Sequence, residues 1–86
     1  MSKYRPLFDY LEKCGDVIVT LPFDRIDEIL DDELPNSAYT YPAWWANSMS
    51  NGHTQSEAWL DAGYEVVDVK LGKYVIFKKA DVEYVV

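Results

Sequence analysis

Two adjacent tryptophans, Trp44 and Trp45, follow Pro42 closely in a chain of 86 residues. Each indole buries about 150–250 Å² and carries an N–H that needs a partner once it leaves water. Neighbouring rings on one helical turn cannot face the same way, so one belongs to the core and the other lies at or near the surface. Trp59 and the only histidine, His53, fall in the same stretch, LPNSAYTYPAWWANSMSNGHTQSEAWLDAGYEV, residues 34–66. Pro35 and Pro42 cut this stretch into short pieces, because an interior proline removes a helical hydrogen bond. The remaining elements must be arranged to enclose these rings.

Ahead of that stretch, Tyr4, Leu7, Phe8, Leu11 and Cys14 recur at helical spacing. Pro6 suits a first turn and Gly15 a C-terminal stop, which predicts a helix over residues 6–14. DVIVTL, residues 16–21, is short and β-branched and reads as a strand. Pro22 then opens a second helix, ending near Asp32, with Phe23, Ile26, Ile29 and Leu30 inward and its carboxylates outward.

Within the tryptophan stretch, residues 36–39 suit one helical turn and Pro42 starts a second that carries Trp44 and Trp45. SMSNG, residues 48–52, reads as a loop. Thr54 and Glu57 have capping-box spacing ahead of Ala58-Trp59-Leu60, and Gly63 ends that helix. Trp59, spaced helically with Ala58 and Ala62, is a core residue. Residues 64–71 and 74–79 read as two strands joined at Gly72-Lys73, where glycine in the first position suits a type II′ hairpin. That turn would place Val67, Val69, Leu71, Tyr74 and Ile76 on one face. DVEYVV, residues 81–86, either pairs as a short strand or trails.

The fold class is therefore α+β, in one domain over residues 1–86, and the α-β-α-α-α-β-β order is that of a small winged-helix-like domain. Two features depart from a winged helix. The interval from the second helix to Thr54 far exceeds a helix-turn-helix turn of about 3–4 residues, and the helix beginning there offers little positive charge.

The formal charge of −7 bears on partners, since nucleic-acid binders display a basic stripe toward phosphate. The charge is uneven. Asp24, Asp27, Glu28, Asp31, Asp32 and Glu33 share one segment with Arg25, whereas Lys70, Lys73, Lys78 and Lys79 gather near the C-terminus. Either cluster can be a solvated face that keeps a small protein soluble. Hydrophobic residues make up 49% of the chain, which excludes disorder. No apolar run approaches the roughly 20 residues of a membrane helix, and MSKYRPLFDY lacks the apolar centre of a secretory signal. With a single cysteine, the expectation is a cytoplasmic protein with no membrane association.

Chemistry finds little support. His53 and Glu57 are four apart, as two ligands on one helix face would be, but zinc needs further ligands and Glu57 serves the cap better. Cys14 falls on the apolar stripe of its helix, where thiols are usually inert packing. Ser48, Ser50 and His53 lack the third group that orients a catalytic base. No glycine-rich phosphate loop occurs. The chain reads as a non-enzyme with no metal and no cofactor. Asn47 reads as a buried amide or a turn cap.

YRPLFDYL at 4–11, PFDRIDEIL at 22–30, LPNSA at 34–38, WWAN at 44–47 and AWLDAGYEV at 58–66 also follow a pattern. Together they resemble a family of small, largely uncharacterised bacterial and phage domains. That pattern has the form YxPLxxYL, TFxxIExIL, LPxSA, WWxN and AWLxAGWxV. The resemblance implies a domain that occurs alone or attached to restriction-type nucleases, with no activity to carry over. The family often has basic residues before WWxN, whereas this chain reads YTYP.

Two functions remain. The first is a non-enzymatic protein-interaction module, of phage or mobile-element type, acting as an acidic inhibitor or nucleic-acid mimic on a basic, nucleic-acid-handling partner in host defence. Its candidate contact residues are Asp24, Asp27, Glu28, Asp31, Asp32, Tyr39, Tyr41, Trp44 and Trp45. The second is a winged-helix DNA-binding accessory of a restriction-type system, using Lys70, Lys73, Lys78 and Lys79.

Overall fold

Short amphipathic helices and a small sheet bury their apolar faces against each other, with one face of the sheet turned to the core. The computed structural model describes residues 2–48 and 54–80. A 3-10 turn, Ser2–Tyr4, leads into helix α1, Arg5–Cys14, which ends at Gly15 in the left-handed conformation with φ 76°. Strand β1, Ile18–Pro22, passes directly into helix α2, Phe23–Leu30. Asp31 closes that helix at φ 53°, a conformation that aspartate tolerates better than most side chains. Helix α3, Asn36–Thr40, and a 3-10 turn, Pro42–Trp45, divide the tryptophan stretch where Pro42 interrupts the hydrogen-bond ladder. Helix α4, Thr54–Leu60, precedes strands β2, Tyr64–Lys70, and β3, Tyr74–Lys79.

The fold is a small α+β arrangement with an antiparallel sheet in the order β1-β3-β2. That order is compatible with a winged-helix-like topology. Among the described residues no helix is long and apolar enough to cross a membrane. Leu7, Leu11, Leu21, Phe23, Ile26, Trp45, Trp59, Val75 and Phe77 form the centre of the core. Trp59 is completely buried, as its helical spacing predicts.

The hairpin differs from the expected one. Its loop has three residues, since Lys70 pairs with Tyr74 and Lys73 N–H donates to Lys70 C=O at 2.9 Å. Gly72 has φ 75° in the second central position of that turn, where a type II turn needs it, not in the first position of a type II′ turn. A second irregularity falls between Val66 and Asp68, so Val67 bulges and is 48% exposed. A one-residue register change sends side chains to the opposite face. Val75 and Phe77 therefore face the core with Val66 and Val69, while Tyr74 and Ile76 share the outer face with Asp68 and Lys70. The expected common face of Val67, Val69, Leu71, Tyr74 and Ile76 does not form. The loop expected at 48–52 and the tail 81–86 fall almost wholly outside the described residues, as does His53, so the His53–Glu57 pairing is not described either.

Candidate interaction surface

Aromatic rings run through the molecule in a connected series. Tyr4 meets Trp44 edge-on at 5.8 Å, Trp44 meets Trp45 at 4.6 Å, Trp45 stacks on Trp59 at 5.8 Å, and Trp59 reaches Phe77 at 5.8 Å. Phe23 joins from the side, 5.4 Å from Trp45, and carries Tyr39 on its far side at 5.0 Å. The adjacent tryptophans divide as their geometry requires. Trp45 is the buried one, and its Nε1–H donates to Ala38 C=O at 2.9 Å. Trp44 is half-buried, with its backbone carbonyl accepting from Gln55 Nε2 at 3.1 Å. Of the two, only Trp44 retains surface for a partner, and Trp45 is withdrawn from the candidate contact residues.

Asn47 holds this segment in place. Its Oδ1 accepts from Trp59 Nε1–H at 2.9 Å and from Val66 N–H at 2.8 Å, while its Nδ2 donates to Val66 C=O at 2.8 Å. The amide thus treats Val66 as a neighbouring strand would. It is exposed, not buried, and caps a strand edge instead of a turn. Nothing in the spacing of WWAN announces that role, because the partner lies 19 residues away.

The acidic segment is split in its duties. Asp27 turns inward: Oδ1 accepts Leu34 N–H at 3.0 Å and Oδ2 accepts the Tyr39 hydroxyl at 3.2 Å. It fastens α2 to α3 and is only half-exposed, so it is a poor contact residue. Asp24, Glu28, Asp31, Asp32 and Glu33 are exposed. Among them Glu28 pairs with Arg25 at 3.1 Å, and Asp32 Oδ1 accepts Glu33 N–H at 2.8 Å. Tyr39, 38% exposed, sits amid this charge. Partial burial raises its phenol above the usual value near 10, and the Asp27 bond with the Asp27, Asp24 and Glu33 carboxylates raises it further. Tyr4 is raised in the same direction, first by burial and then by Asp32. Tyr41 is 61% exposed. Of the aromatic candidates, Tyr39 therefore lies among the carboxylates and Trp44 lies against Tyr4, which itself feels Asp32.

The lysines are not brought together. Lys70 and Lys73 lie exposed at the hairpin tip, while Lys78 and Lys79 are half-buried at the other end of β3. At about 3.4 Å per residue, Lys73 and Lys79 stand roughly 20 Å apart along the strand. Register places Lys78 between Ile18 and Glu65. Helix α4 offers no basic stripe either, since Gln55, Ser56, Ala58 and Trp59 are buried and the rest of the helix carries no lysine or arginine. Cys14 is partly buried, its thiol 3.6 Å from Asp16 Oδ2. Among the described residues no concave pocket and no metal-holding group of three His, Cys, Asp or Glu is found.

These features define a small aromatic-cored α+β domain with a group of exposed carboxylates on and after α2. The chain belongs to the family described as Domain of unknown function (DUF7662), which it matches over residues 4–81. No curated protein and no solved structure matches it.

Proposed function

We propose that this domain is a non-enzymatic protein-interaction module whose acidic–aromatic surface engages a basic partner. One observation carries the reading: Asp24, Asp31, Asp32 and Glu33 are exposed around α2 and the segment after it, beyond the one carboxylate, Asp27, that fastens two helices. Charge left unneutralised in so small a domain repels itself, yet it steers an oppositely charged partner and speeds encounter. Tyr39 and Tyr41, with Trp44 half-exposed, supply the aromatic anchors that interfaces favour. In finer terms, the domain acts as an inhibitor or nucleic-acid mimic toward a nucleic-acid-handling protein of the bacterial host or phage.

Capture of lysate proteins on the parent and on a quadruple variant, Asp24→Asn, Glu28→Gln, Asp31→Asn and Asp32→Asn, tests this. Basic proteins held by the parent in low salt and lost by the variant support it. The same proteins on both would refute it.

The β1-β3-β2 sheet and its lysine-tipped hairpin favour a second reading, a winged-helix DNA-binding accessory. It predicts binding of random duplex DNA in low salt that weakens when Lys70 and Lys73 become Gln.

A further inference from the structure

The two edges of the sheet are treated differently. On β2 the outward N–H and C=O of Val66 are both occupied by the Asn47 amide. On β1 the alternation of antiparallel bonds assigns the outward groups. Phe23 N–H donates to Lys73 C=O and Lys79 N–H to Val17 C=O, so the odd-numbered residues of this strand face β3. The even-numbered ones, Ile18, Thr20 and Pro22, therefore direct their backbone groups away from the sheet, and the groups of Ile18 and Thr20 meet no partner among the described residues. Their side chains are exposed too, Ile18 at 47%. An open edge of this kind is a template for another strand.

We infer that the β1 edge receives an extended, lysine- or arginine-bearing segment of a partner protein as a fourth, antiparallel strand. This rests on the acidic-module reading above and adds where, and in what conformation, the partner binds. Backbone bonds to Ile18 and Thr20 would give affinity, Ile18 would offer an apolar contact to alternate side chains, and charge would select the segment. Asp16 and Asp24 stand exposed two residues before and two residues after the strand, so an acidic residue flanks it on either side.

A second copy of the chain fits poorly. Pairing about Thr20 on a two-fold axis sets Ile18 of each copy opposite Pro22 of the other. Proline has no N–H to give, so both Ile18 carbonyls go unpaired in that register, and against the other registers it is charge that stands. The charge of −7 on each copy opposes the approach as well.

The test uses a synthetic peptide of alternating lysine and valine, with an alternating glutamate–valine peptide as control, followed by amide NMR and hydrogen exchange. The lysine peptide should bind and slow exchange at the Ile18 and Thr20 amides, and the glutamate peptide should do neither. Thr20→Pro deletes one outward donor while sparing the bonds to β3, and should weaken the lysine peptide by roughly tenfold. The exchange measurement on the parent decides the matter even where that variant folds badly. Binding that moves resonances around Tyr39 but leaves Ile18 and Thr20 exchanging freely would overturn the edge site and spare the acidic-module reading. Failure of the lysine peptide to bind at all would overturn both.

Discussion

Replacing Asn47 with alanine removes three hydrogen bonds at once, and their surroundings set the cost. Trp59 is fully buried, so its Nε1–H loses a partner in a setting where water reaches poorly. An orphaned buried donor costs about 1–3 kcal/mol. The two bonds to Val66 lie at an exposed strand edge, where water replaces the amide with little loss. The sum is about 2 kcal/mol, dominated by the indole. For a domain of this size each kcal/mol moves the midpoint by about 4–8 °C, so Tm should fall by roughly 8–16 °C. Asn47→Asp keeps an acceptor for Trp59 but sets a carboxylate against Val66 C=O, and should fall between parent and alanine. Thermal melts followed by circular dichroism and tryptophan emission provide the assay. An alanine variant melting within a couple of degrees of the parent would show that the bracket contributes nothing, and the reasoning would fail.

Other outcomes follow from the same contacts. Trp59→Ala should cost about 3–5 kcal/mol, close to the whole stability of a small domain, and a melt near the parental one would contradict its core position. Asp27→Ala should cost about 1–2 kcal/mol by freeing Leu34 N–H and the Tyr39 hydroxyl, whereas Asp24→Asn should stay within about 0.5 kcal/mol; urea titrations distinguish them. Tyr4, Tyr39 and Tyr64 all ionise above their usual value near 10, in each case chiefly through burial. The folded chain then holds these protons more tightly than the unfolded one, so the stability they contribute is present below pH ~10 and is lost as pH rises through the folded values. Melts at stepped alkaline pH should show that loss, and Tyr39→Phe should diminish it.

The helices, the core position of Trp59 and the division of Trp44 and Trp45 into one buried and one half-exposed ring were legible because their signals are local, although which of the two is buried was not. Helical spacing in Tyr4–Cys14, Pro42 ahead of the tryptophans, and Gly63 at φ 84° all act within a turn or two of where they stand. The β2–β3 register was not legible, since LGK permits a two- or a three-residue loop and the bulge at Val67 leaves no mark in the composition. Long-range partnerships were hidden for a related reason. Asp27 looked like one more acid on a charged face until the fold brought Leu34 and Tyr39 to it, and Asn47 found Val66 only through the sheet. Lysines close in sequence were separated because a strand carries its two ends apart. The open edge of β1 depended on which strand became central, and sequence order alone does not say that β3 lies between the other two.

If surplus carboxylates on this domain steer a basic partner, the rate of association carries their imprint. With the partner recovered by capture, stopped-flow binding is recorded across a salt series for the parent and for the variant bearing Asp24→Asn, Glu28→Gln, Asp31→Asn and Asp32→Asn. The parental rate should lie well above the uncharged range of about 10⁵–10⁶ M⁻¹s⁻¹ in low salt and fall steeply as salt is added. The variant should start low and change little. Equal rates in low salt for both proteins would mean that these carboxylates steer nothing and are solvated surface.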